Sequence, residues 1–355
     1  MKTRRQVSAP GKLVILGEYA VLFGAPAAVM AVNRRAVVTV DAAAGNRWVV
    51  TAPGLETDAV ECDVDASGSV CWDDAEAGGR LALFERLAGE MVARGIFDPA
   101  TVPPQTLALD TAAFFDLGHP ERPKLGLGSS AALTVALASA LSGRDLQPCS
   151  GDLEWLRTLV ALHRAVQGGL GSGIDVAASL CGGVIGFELD AGGSVAGIAP
   201  IKWPDEISRA FVWTGRSAST HSFLERLRAA RGSRKRDVDG ALDRLGQVSE
   251  RGVDALARND PFRFLDAVDR FCEASEILGR AIEMPILSDA HRRLRHLGTE
   301  CGVHYKPSGA GGGDFGVCFS AEDERLQEFS RRAEADGFAT PEVDMDLSGA
   351  VLTGM

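Results

Sequence analysis

The sequence lacks any apolar run long enough to cross a membrane, any Cys-x-x-Cys pair and any signal-peptide core at its start. A membrane-spanning helix needs about 20 predominantly apolar residues, and a signal peptide needs an apolar segment of about 7–15 residues. The seven cysteines are scattered, and neither they nor the histidines show zinc spacing, so we expect reduced, mostly buried thiols. These absences predict a cytoplasmic protein.

An excess of positive charge is also absent, because 37 Lys and Arg against 48 Asp and Glu give a net charge of −11. This balance argues against a nucleic-acid or anionic-membrane surface, and a polyanionic substrate would need a local basic pocket. The length of 355 residues favours two domains, which we place at 1–204 and 205–355, with the boundary near Pro204. We expect a monomer or a homodimer.

Hydrophobic periodicity predicts strands that alternate with helices. The predicted strands are 13–16, 27–32, 36–42, 48–51, 106–111, 182–189, 198–201 and 349–353, together with an apolar strand that follows the glycine-rich segment beginning at 306. The predicted helices are 78–95, 131–141, 151–166 opening near Ser150, 287–301 and 322–337, together with a mostly helical stretch, 219–281, broken at 231–237 and 259–261. This order predicts an α+β fold in two halves, with an early, largely antiparallel sheet.

One glycine-rich stretch, 124–133, leads directly into the apolar segment 134–141. Gly126 and Gly128 allow the backbone to approach a ligand closely, and Ser129 or Ser130 could cap the helix that follows. The free N–H groups and positive dipole end of a helix N-terminus suit a phosphate. Taken alone, this stretch is equally well interpreted as a phosphate cradle or as a capped core helix.

Two common nucleotide-binding motifs are excluded. Residues 126–131 formally match Gly-x-Gly-x-x-Ala, but the residues before them do not form a strand and Asp145 lies in a Gly/Pro-flanked loop, so a dinucleotide fold does not fit. No P-loop motif, Gly-x-x-x-x-Gly-Lys-[Ser/Thr], occurs. What remains is a set of three glycine-rich turns with Lys12, a serine pair and Asp175, and phosphoryl transfer needs such parts.

Three segments together resemble the motifs of the GHMP small-molecule kinases. They are Pro-Gly-Lys-Leu-Val-Ile-Leu-Gly-Glu at 10–18, Gly-Leu-Gly-Ser-Ser-Ala-Ala at 126–132 and Lys-Pro-Ser-Gly-Ala-Gly-Gly-Gly-Asp at 306–314. They occur in the family's order and at its spacing, across nearly the whole chain. The resemblance implies an N-terminal domain like domain 2 of ribosomal protein S5 and a ferredoxin-like C-terminal domain, with ATP, Mg²⁺ and a small-molecule substrate between them.

Within that family, segments 17–22, 171–178 and 213–220 resemble the phosphomevalonate kinases. Mevalonate kinases usually carry Gly-Glu-His in the first motif, where this chain has Tyr19, and a metal-binding glutamate where it has His163. Diphosphomevalonate decarboxylases lack the lysine that this chain keeps at Lys12. The resemblance therefore implies ATP-dependent phosphorylation of 5-phosphomevalonate to diphosphomevalonate. Mevalonate kinase or another GHMP kinase, and a catalytically silent ligand-binding relative, are the alternatives.

The resemblance also implies roles for single residues. Lys12 would stabilise charge on the acceptor and on the transferring phosphoryl group, and Ser130 would face Mg²⁺. Asp175 would orient Lys12 and the substrate rather than take a proton, because a phosphate monoester is largely a dianion at neutral pH; a plain helix cap is the alternative. The predicted ATP-binding residues are Lys124, Gly126, Leu127, Gly128, Ser129, Ser130 and Ala131. The predicted substrate-binding residues are Glu18, Tyr19, Ser172, Gly173, Arg216, Ser219, Thr220, Gly311, Gly312 and Asp314.

Two polyanions must meet in such a site, so basic side chains are needed to balance their negative charge. Arg216 and the basic cluster 231–236 are candidates for binding the substrate phosphate, although the cluster is interpreted equally well as a solvated, mobile loop. His163 is expected to pack or hydrogen-bond within its helix rather than bind a metal.

Overall fold

The computed structural model describes residues 4–116, 119, 121–146 and 152–353. Its strands are β1 (Arg5–Leu16), β2 (Ala27–Ala42), β3 (Trp48–Ala52), β4 (Thr57–Val64), β5 (Val70–Trp72), β6 (Gln105–Asp110), β7 (Val184–Leu189), β8 (Val195–Ile201), β9 (Ser208–Trp213), β10 (His304–Pro307), β11 (Phe315–Ser320) and β12 (Val351–Thr353). Its helices are α1 (Ala75–Arg80), α2 (Ala82–Ala93), α3 (Ser129–Leu141), α4 (Leu153–Val166), α5 (Ile174–Cys181), α6 (Thr220–Ser233), α7 (Lys235–Ala257), α8 (Pro261–Ala281), α9 (Asp289–Cys301) and α10 (Asp323–Ala335).

Within these ranges, nine strands form one sheet in the order β12-β1-β2-β6-β3-β4-β5, with β7 on β2 and β8 on β7. The long strand β2 pairs with β7 through residues 27–30 and with β6 through residues 37–42. The pairing of β3 with β6 is parallel and the others are antiparallel. The predicted, largely antiparallel early sheet is therefore confirmed. Helices α3 and α5 pack on β1 and β2, which places the N-terminus of α3 beside β1.

A second sheet of the described chain contains three antiparallel strands in the order β10-β11-β9. Helices α9 and α10 pack on it, and Leu294, Tyr305 and Phe329 lie in the small core between them. Helix α8 packs against β10 and against α7. A larger core contains side chains from both β1 and β11, so the two sheets are joined through shared apolar contacts.

Several strands differ from the sequence prediction. β1 begins at Arg5 rather than at residue 13, because Pro10 and Gly11 lie at a register shift that leaves the strand paired with β2. The predicted strands 27–32 and 36–42 form one continuous strand for the same reason. The apolar pattern also does not predict β4, β5, β9 or β10. In β4 only Thr57, Val60 and Cys62 are buried and every acidic residue is exposed, so the strand lacks a regular apolar alternation.

Two helix boundaries also differ. The predicted helix 78–95 is two helices, α1 and α2, which meet at Leu81. Asp74 caps α1 by accepting two backbone N–H groups, so the first helix begins earlier than the apolar periodicity predicts. Helix α4 begins at Leu153 with Asp152 as its N-cap, while the predicted start at Ser150 lies outside the described residues.

The basic cluster 231–236 is helical, so its interpretation as a mobile loop is wrong. The break between α6 and α7 is confined to Arg234. Arg231 and Lys235 pair with Asp239, and Arg234 pairs with Glu283 over 2.9 Å. Three of the cations that were candidates for a substrate phosphate, Arg231, Arg234 and Lys235, are therefore paired with carboxylates.

The C-terminal strand returns to the first sheet. β12 pairs with β1, through Val351 opposite Ser8, although β2–β11 and α1–α10 lie between them in sequence. Pro204 lies in the connection between β8 of the large sheet and β9 of the small one. The domain boundary at this position stays a prediction.

Two expectations from composition have a structural outcome. No helix within the described ranges has the length and apolar character needed to span a membrane. Cys62, Cys272 and Cys318 are free and buried, as expected, but Cys181 is disulfide-bonded. The expectation of reduced thiols is wrong there, because spacing along the chain does not show which sulfurs the fold brings together.

Candidate active site

Two neighbouring cavities are lined by nine of the nineteen predicted site residues. The first, called here the Lys12 cavity, has a volume of about 140 Å³, and its lining includes Lys12, Glu18, Tyr19, Ser172, Asp175 and Thr220. The second, the Ser130 cavity, has a volume of about 360 Å³, and its lining includes Lys124, Ser129 and Ser130. The C-terminal end of α4 lies between them, since His163 lines the first and Gln167, about one turn later, lines the second. A larger cavity of about 1390 Å³, between β8 and α10, contains none of the predicted site residues.

The glycine turn before α3 is shaped around Lys12. Gly126 and Gly128 have φ values of 77° and 82°, in the left-handed region that favours glycine. A Cβ on Gly128 would lie 3.1 Å from Cγ of Lys12, and the Leu127 carbonyl accepts the Lys12 N–H over 2.8 Å. Gly128 is the N-cap of α3 and makes no side-chain cap. The predicted serine cap is therefore wrong, because both serines already lie in the first turn, and the N–H groups of that turn are open to an anion.

The Ser130 hydroxyl is held at this helix end by α4. Nε2 of Gln167 donates to Oγ of Ser130 over 2.9 Å, which leaves lone pairs on the hydroxyl oxygen. Mg²⁺ prefers oxygen ligands and usually keeps several waters, so it needs few protein ligands. Among the described residues, no group of three His, Cys, Asp or Glu could hold a metal ion. A serine oxygen at this helix end fits a Mg²⁺ whose other ligands would be waters and nucleotide phosphates.

A buried ion pair joins the first glycine-rich motif to the third. Nζ of Lys306 donates to Oε1 of Glu18 over 2.6 Å, and the Gly309 N–H donates to the same oxygen over 3.1 Å. The two charged side chains are only 1% and 7% exposed. The second carboxylate oxygen, Oε2, is buried and has no partner within the described chain. Glu18 lines the Lys12 cavity, so this oxygen is a candidate acceptor for a bound ligand.

Two further contacts attach the third motif to the first. Ser308 Oγ accepts the Val14 N–H over 2.9 Å and donates to the Val14 carbonyl over 3.0 Å. Tyr19 has a φ of 62°, and its hydroxyl donates to the Ala310 carbonyl. Burial, and then the charge of Glu18, raises the pKa of Tyr19 well above its usual value, so this hydroxyl remains a donor. The segment around Ala310 is thereby fixed beside β1.

Asp175 lies in the first turn of α5, on the wall of the Lys12 cavity. Gly173, with a φ of 86°, occupies the N-cap position, so a capping role for Asp175 is not observed. Oδ1 of Asp175 accepts the Val176 N–H over 3.0 Å, and Oδ2 lies 3.9 Å from Nδ1 of His163. In the described chain, no ion pair within 4.0 Å connects Asp175 to Lys12. The two residues line one cavity without such an ion pair.

Arg164 fixes the second glycine-rich turn. Its guanidinium donates to the carbonyl oxygens of Gly171, Ser172 and Gly193, over 3.0, 2.8 and 2.8 Å. Burial lowers the pKa of Arg164, and the charge of Asp175 opposes that effect. These three bonds hold Ser172 at the rim of the Lys12 cavity, where it was predicted to bind substrate.

Asp314 ends the third motif and lies against the glycine turn. A Cβ on Gly126 would be 2.3 Å from Cγ of Asp314, and the Ala218 N–H donates to Oδ1 over 3.1 Å. Burial raises the pKa of Asp314 to about 6, although the Ala218 hydrogen bond and the charges of Lys12 and Lys124 lower it. The surrounding protein lowers the pKa of Lys124, and Asp314 opposes this shift. The carboxyl group and the two ammonium groups together set the charge beside the glycine turn.

Gly311 and Gly312 allow close packing of the third motif against neighbouring segments. A Cβ on Gly311 would lie 2.4 Å from the Ile286 carbonyl, and one on Gly312 would lie 2.6 Å from the Phe223 ring. Neither glycine lines the Lys12 cavity, whereas Gly309 and Ala310 do. The contact with substrate predicted for these two glycines stays a prediction.

The remaining predicted substrate residues lie on the turn before α6. Ser219 Oγ accepts the Ser222 N–H over 3.3 Å and caps α6, while Thr220 lines the Lys12 cavity. Arg216 is exposed, and its carbonyl accepts the Asp314 N–H over 2.7 Å. The structure thus brings Thr220 to the cavity and gives Ser219 a capping function.

Sequence reasoning missed several residues that support the site. Lys306 and Ser308 lie inside the third motif, and their polar side chains next to an apolar strand are a usable signal. His291 gave no such signal. It is fully buried, with Nδ1 2.6 Å from the Tyr305 hydroxyl and Nε2 2.9 Å from the Gly313 carbonyl. Burial lowers the pKa of His291 to about 4, so it supports the third motif as a neutral group.

Comparison with known proteins identifies relatives. The family model "GHMP kinases N terminal domain" matches residues 118–183. A phosphomevalonate kinase of Streptomyces sp. (strain CL190) is 32% identical over 339 residues, which is 87% of this chain and 88% of that protein. A mevalonate kinase of Aeropyrum pernix is 30% identical over 53% of this chain and 52% of its own length.

Solved structures share the fold. The Lin0012 protein from Listeria innocua has a TM-score of 0.81 at 22% identity, covering 99% of both chains. Streptococcus pneumoniae phosphomevalonate kinase, in complex with phosphomevalonate and AMPPNP, has a TM-score of 0.73 at 20% identity, covering 96% of this chain and 99% of that one. The predicted α+β, two-domain fold is confirmed by these likenesses.

Proposed function

The chain belongs to the GHMP kinases, and we propose that it transfers the γ-phosphoryl group of ATP to the phosphate of (R)-5-phosphomevalonate, forming (R)-5-diphosphomevalonate. Family membership rests on the Streptomyces relative, which is 32% identical over most of both chains. That relative is a phosphomevalonate kinase, and it supports the choice of acceptor. The three motifs that resemble this family lie around the two cavities.

The observation that carries the proposal is the position of Lys12. Its side chain lies against Gly128 of the glycine turn and also lines the cavity that contains Asp175 and Thr220. A cation at this point can contact an acceptor in one cavity and a phosphoryl group presented from the other. Phosphoryl transfer requires such an in-line arrangement of two ligands.

The protein's contribution to the reaction is mainly position and charge. The transition state of phosphoryl transfer is loose, with negative charge spread over the transferring group. Lys12 stabilises that charge, since a preorganised cation in a partly enclosed site gains strength as charge develops. The N–H groups in the first turn of α3 and the ammonium group of Lys124 hold the triphosphate in the Ser130 cavity.

A phosphate acceptor removes the need for a general base. The second pKa of a phosphate monoester is about 6, so the attacking oxygen is largely deprotonated at neutral pH. Asp175 then serves to orient the acceptor across the cavity, on a turn that Arg164 holds in place. Glu18 contributes an unpaired oxygen to the same cavity and accepts a hydrogen bond from an acceptor hydroxyl.

Mg²⁺ completes the proposed site. When bound, the ion neutralises charge on the nucleotide phosphates. Ser130 is the proposed ligand, because Gln167 fixes its hydroxyl at the helix end where the phosphates would lie. The other residues of the first turn act through their backbone N–H groups.

Mevalonate kinase is the second candidate function. A mevalonate kinase of Saccharolobus solfataricus is 25% identical to this chain over 90% of its length, in addition to the Aeropyrum protein. The apolar wall of the Lys12 cavity, which includes Val14, Leu22 and Leu224, suits the carbon skeleton of either acceptor. An alcohol acceptor would differ in needing a group such as Asp175 to take its proton.

A coupled assay of ADP release separates these functions. The purified chain is supplied with ATP, Mg²⁺ and one acceptor at a time: phosphomevalonate, mevalonate or a panel of sugars. We expect turnover with phosphomevalonate to exceed that with the other acceptors. Turnover on mevalonate alone would overturn the choice of acceptor, and no turnover on any of them would favour a ligand-binding protein without catalytic activity.

A further inference from the structure

His163 is a buried titratable residue to which the proposed reaction assigns no role. It lies near the end of α4, lines the Lys12 cavity and is 8% exposed. Its Nε2 is buried and has no hydrogen-bond partner in the described part of the chain. Folded proteins pair the great majority of such atoms, because an unpaired buried polar atom is costly. A bound ligand in the cavity can supply the missing partner.

The charges around His163 indicate which kind of ligand fits. Asp175 approaches from α5, with Oδ2 3.9 Å from Nδ1, and Lys12 and Glu18 line the same cavity from β1 and the turn after it. Arg164, the next residue on α4, is turned to backbone carbonyl oxygens. A dianionic acceptor placed beside Lys12 is repelled by the Asp175 carboxylate. The imidazole lies beside Asp175, and an N–H at Nε2 can donate to an oxygen of the acceptor and offset part of that repulsion.

We propose that His163 is a specificity-determining residue that donates a hydrogen bond from Nε2 to a phosphate oxygen of the acceptor. The inference rests on the proposed function, because the acceptor phosphate supplies the charged oxygen. An alcohol acceptor offers no such oxygen and gains little from this donor. The unpaired Oε2 of Glu18 needs a donor instead, so the two unpaired atoms together match an acceptor that carries both a hydroxyl group and an anionic group.

Calorimetric titration of the nucleotide-free protein with phosphomevalonate and with mevalonate tests the inference. The wild type should bind phosphomevalonate more tightly. His163→Leu should lower that preference by about 10- to 100-fold, the range for a hydrogen bond to a charged group, with little change in mevalonate affinity. His163→Gln keeps an N–H donor and should recover part of the preference. An unchanged preference in His163→Leu, or no preference in the wild type, overturns the inference.

Thermal unfolding of the same variants distinguishes ligand binding from a structural role. A histidine kept for the fold would make His163→Leu less stable than the wild type. We expect its melting temperature to equal or exceed the wild-type value, because the substitution removes an unpaired buried nitrogen. A lower melting temperature in both variants, with the binding preference of His163→Gln unchanged, would assign His163 to folding. The ADP-release assay tests the proposed function separately: the function fails if wild type releases no ADP when it is supplied with ATP and phosphomevalonate.

Discussion

At the scale of single residues, the site depends on a few charges held against glycine backbone. Lys12 lies on Gly128, and Asp314 lies on Gly126, so neither glycine can carry a side chain without moving a charged group. Both glycines also have left-handed φ values, which other residues adopt only with strain. The positions of the two glycines therefore determine where the charged groups of Lys12 and Asp314 can lie.

Replacing Lys12 by Met should reduce kcat with phosphomevalonate by about 10²- to 10³-fold, the usual loss when one group that stabilises transition-state charge is removed. The KM for ATP should change little, because the α3 N–H groups and Lys124 remain. Steady-state kinetics with the ADP-release assay measures both values. The matched control is Lys202→Met, since Lys202 is exposed and paired with Asp205; it should leave kcat unchanged. A kcat for Lys12→Met within about threefold of wild type would contradict the role.

Asp314 should make stability depend on pH in the opposite direction from an ordinary acid. Burial raises its pKa from 3.8 to about 6, so its contribution to stability is full below pH 3.8 and is lost as pH rises through about 6. Asp314→Asn stays neutral, and its stability relative to wild type should rise by on the order of 1 kcal/mol between pH 5 and pH 7. Urea denaturation at the two pH values measures this difference.

The control for this pH experiment is Asp65→Asn. Hydrogen bonds from Ser67 and Ser69 lower the pKa of Asp65, so its charged form is favoured in the fold. Its replacement should be unfavourable at both pH 5 and pH 7, because the stability that a lowered pKa contributes is lost only below the unfolded value of 3.8, so its stability relative to wild type should not change between the two pH values. A relative stability of Asp314→Asn that falls from pH 5 to pH 7 would show that the carboxylate, rather than the acid, is the form preferred at this position.

At the scale of elements, the site is the junction of β1 with the segment that joins β10 to β11. The Glu18–Lys306 pair and the bonds between Ser308 and Val14 connect chain positions that are 288 and 294 residues apart. These contacts bring the third motif to the wall of the Lys12 cavity. Packing of α8 on β10 supports the same junction from the other side.

Lys306→Met should lower the free energy of unfolding by about 3–5 kcal/mol, because it leaves the Glu18 carboxylate buried without its counter-charge. The double variant Lys306→Met/Glu18→Gln should recover part of that loss, since the uncompensated charge is gone. Denaturant unfolding monitored by tryptophan fluorescence provides the values. Lys202→Met, which breaks an exposed pair, should cost no more than about 1 kcal/mol. A similar small cost for Lys306→Met would mean that the buried pair contributes little.

The sequence is informative about elements where the controlling contacts are local. The glycine turn before α3, the second turn before α5 and the apolar strand after the third motif follow from the residues within each segment. The Glu18–Lys306 pair and the return of β12 to β1 do not, because nothing near either partner indicates its distant neighbour. The contacts of the basic cluster 231–236 are only partly local, since Arg231 and Lys235 pair with nearby Asp239, whereas Glu283, which pairs with Arg234, lies on a different part of the chain.

At the scale of the whole molecule, cationic side chains cluster at one place on an acidic protein. The net charge is −11, yet Lys12 and Lys124 stand beside the same glycine turn and Arg216 lies on the adjacent one. Such a local field concentrates anionic ligands even when the total charge is negative. The composition predicted the need for a basic pocket, while its position depends on β1, α3 and the third motif meeting in the fold.

The most direct test of the proposed function follows the phosphorus atoms of the acceptor itself. Wild-type protein is incubated with ATP, Mg²⁺ and phosphomevalonate, and the mixture is observed by ³¹P nuclear magnetic resonance. The proposed reaction predicts loss of the phosphomonoester resonance and the growth of two coupled diphosphate resonances, in step with ADP. A phosphomonoester resonance that persists while mevalonate is phosphorylated under the same conditions would contradict it.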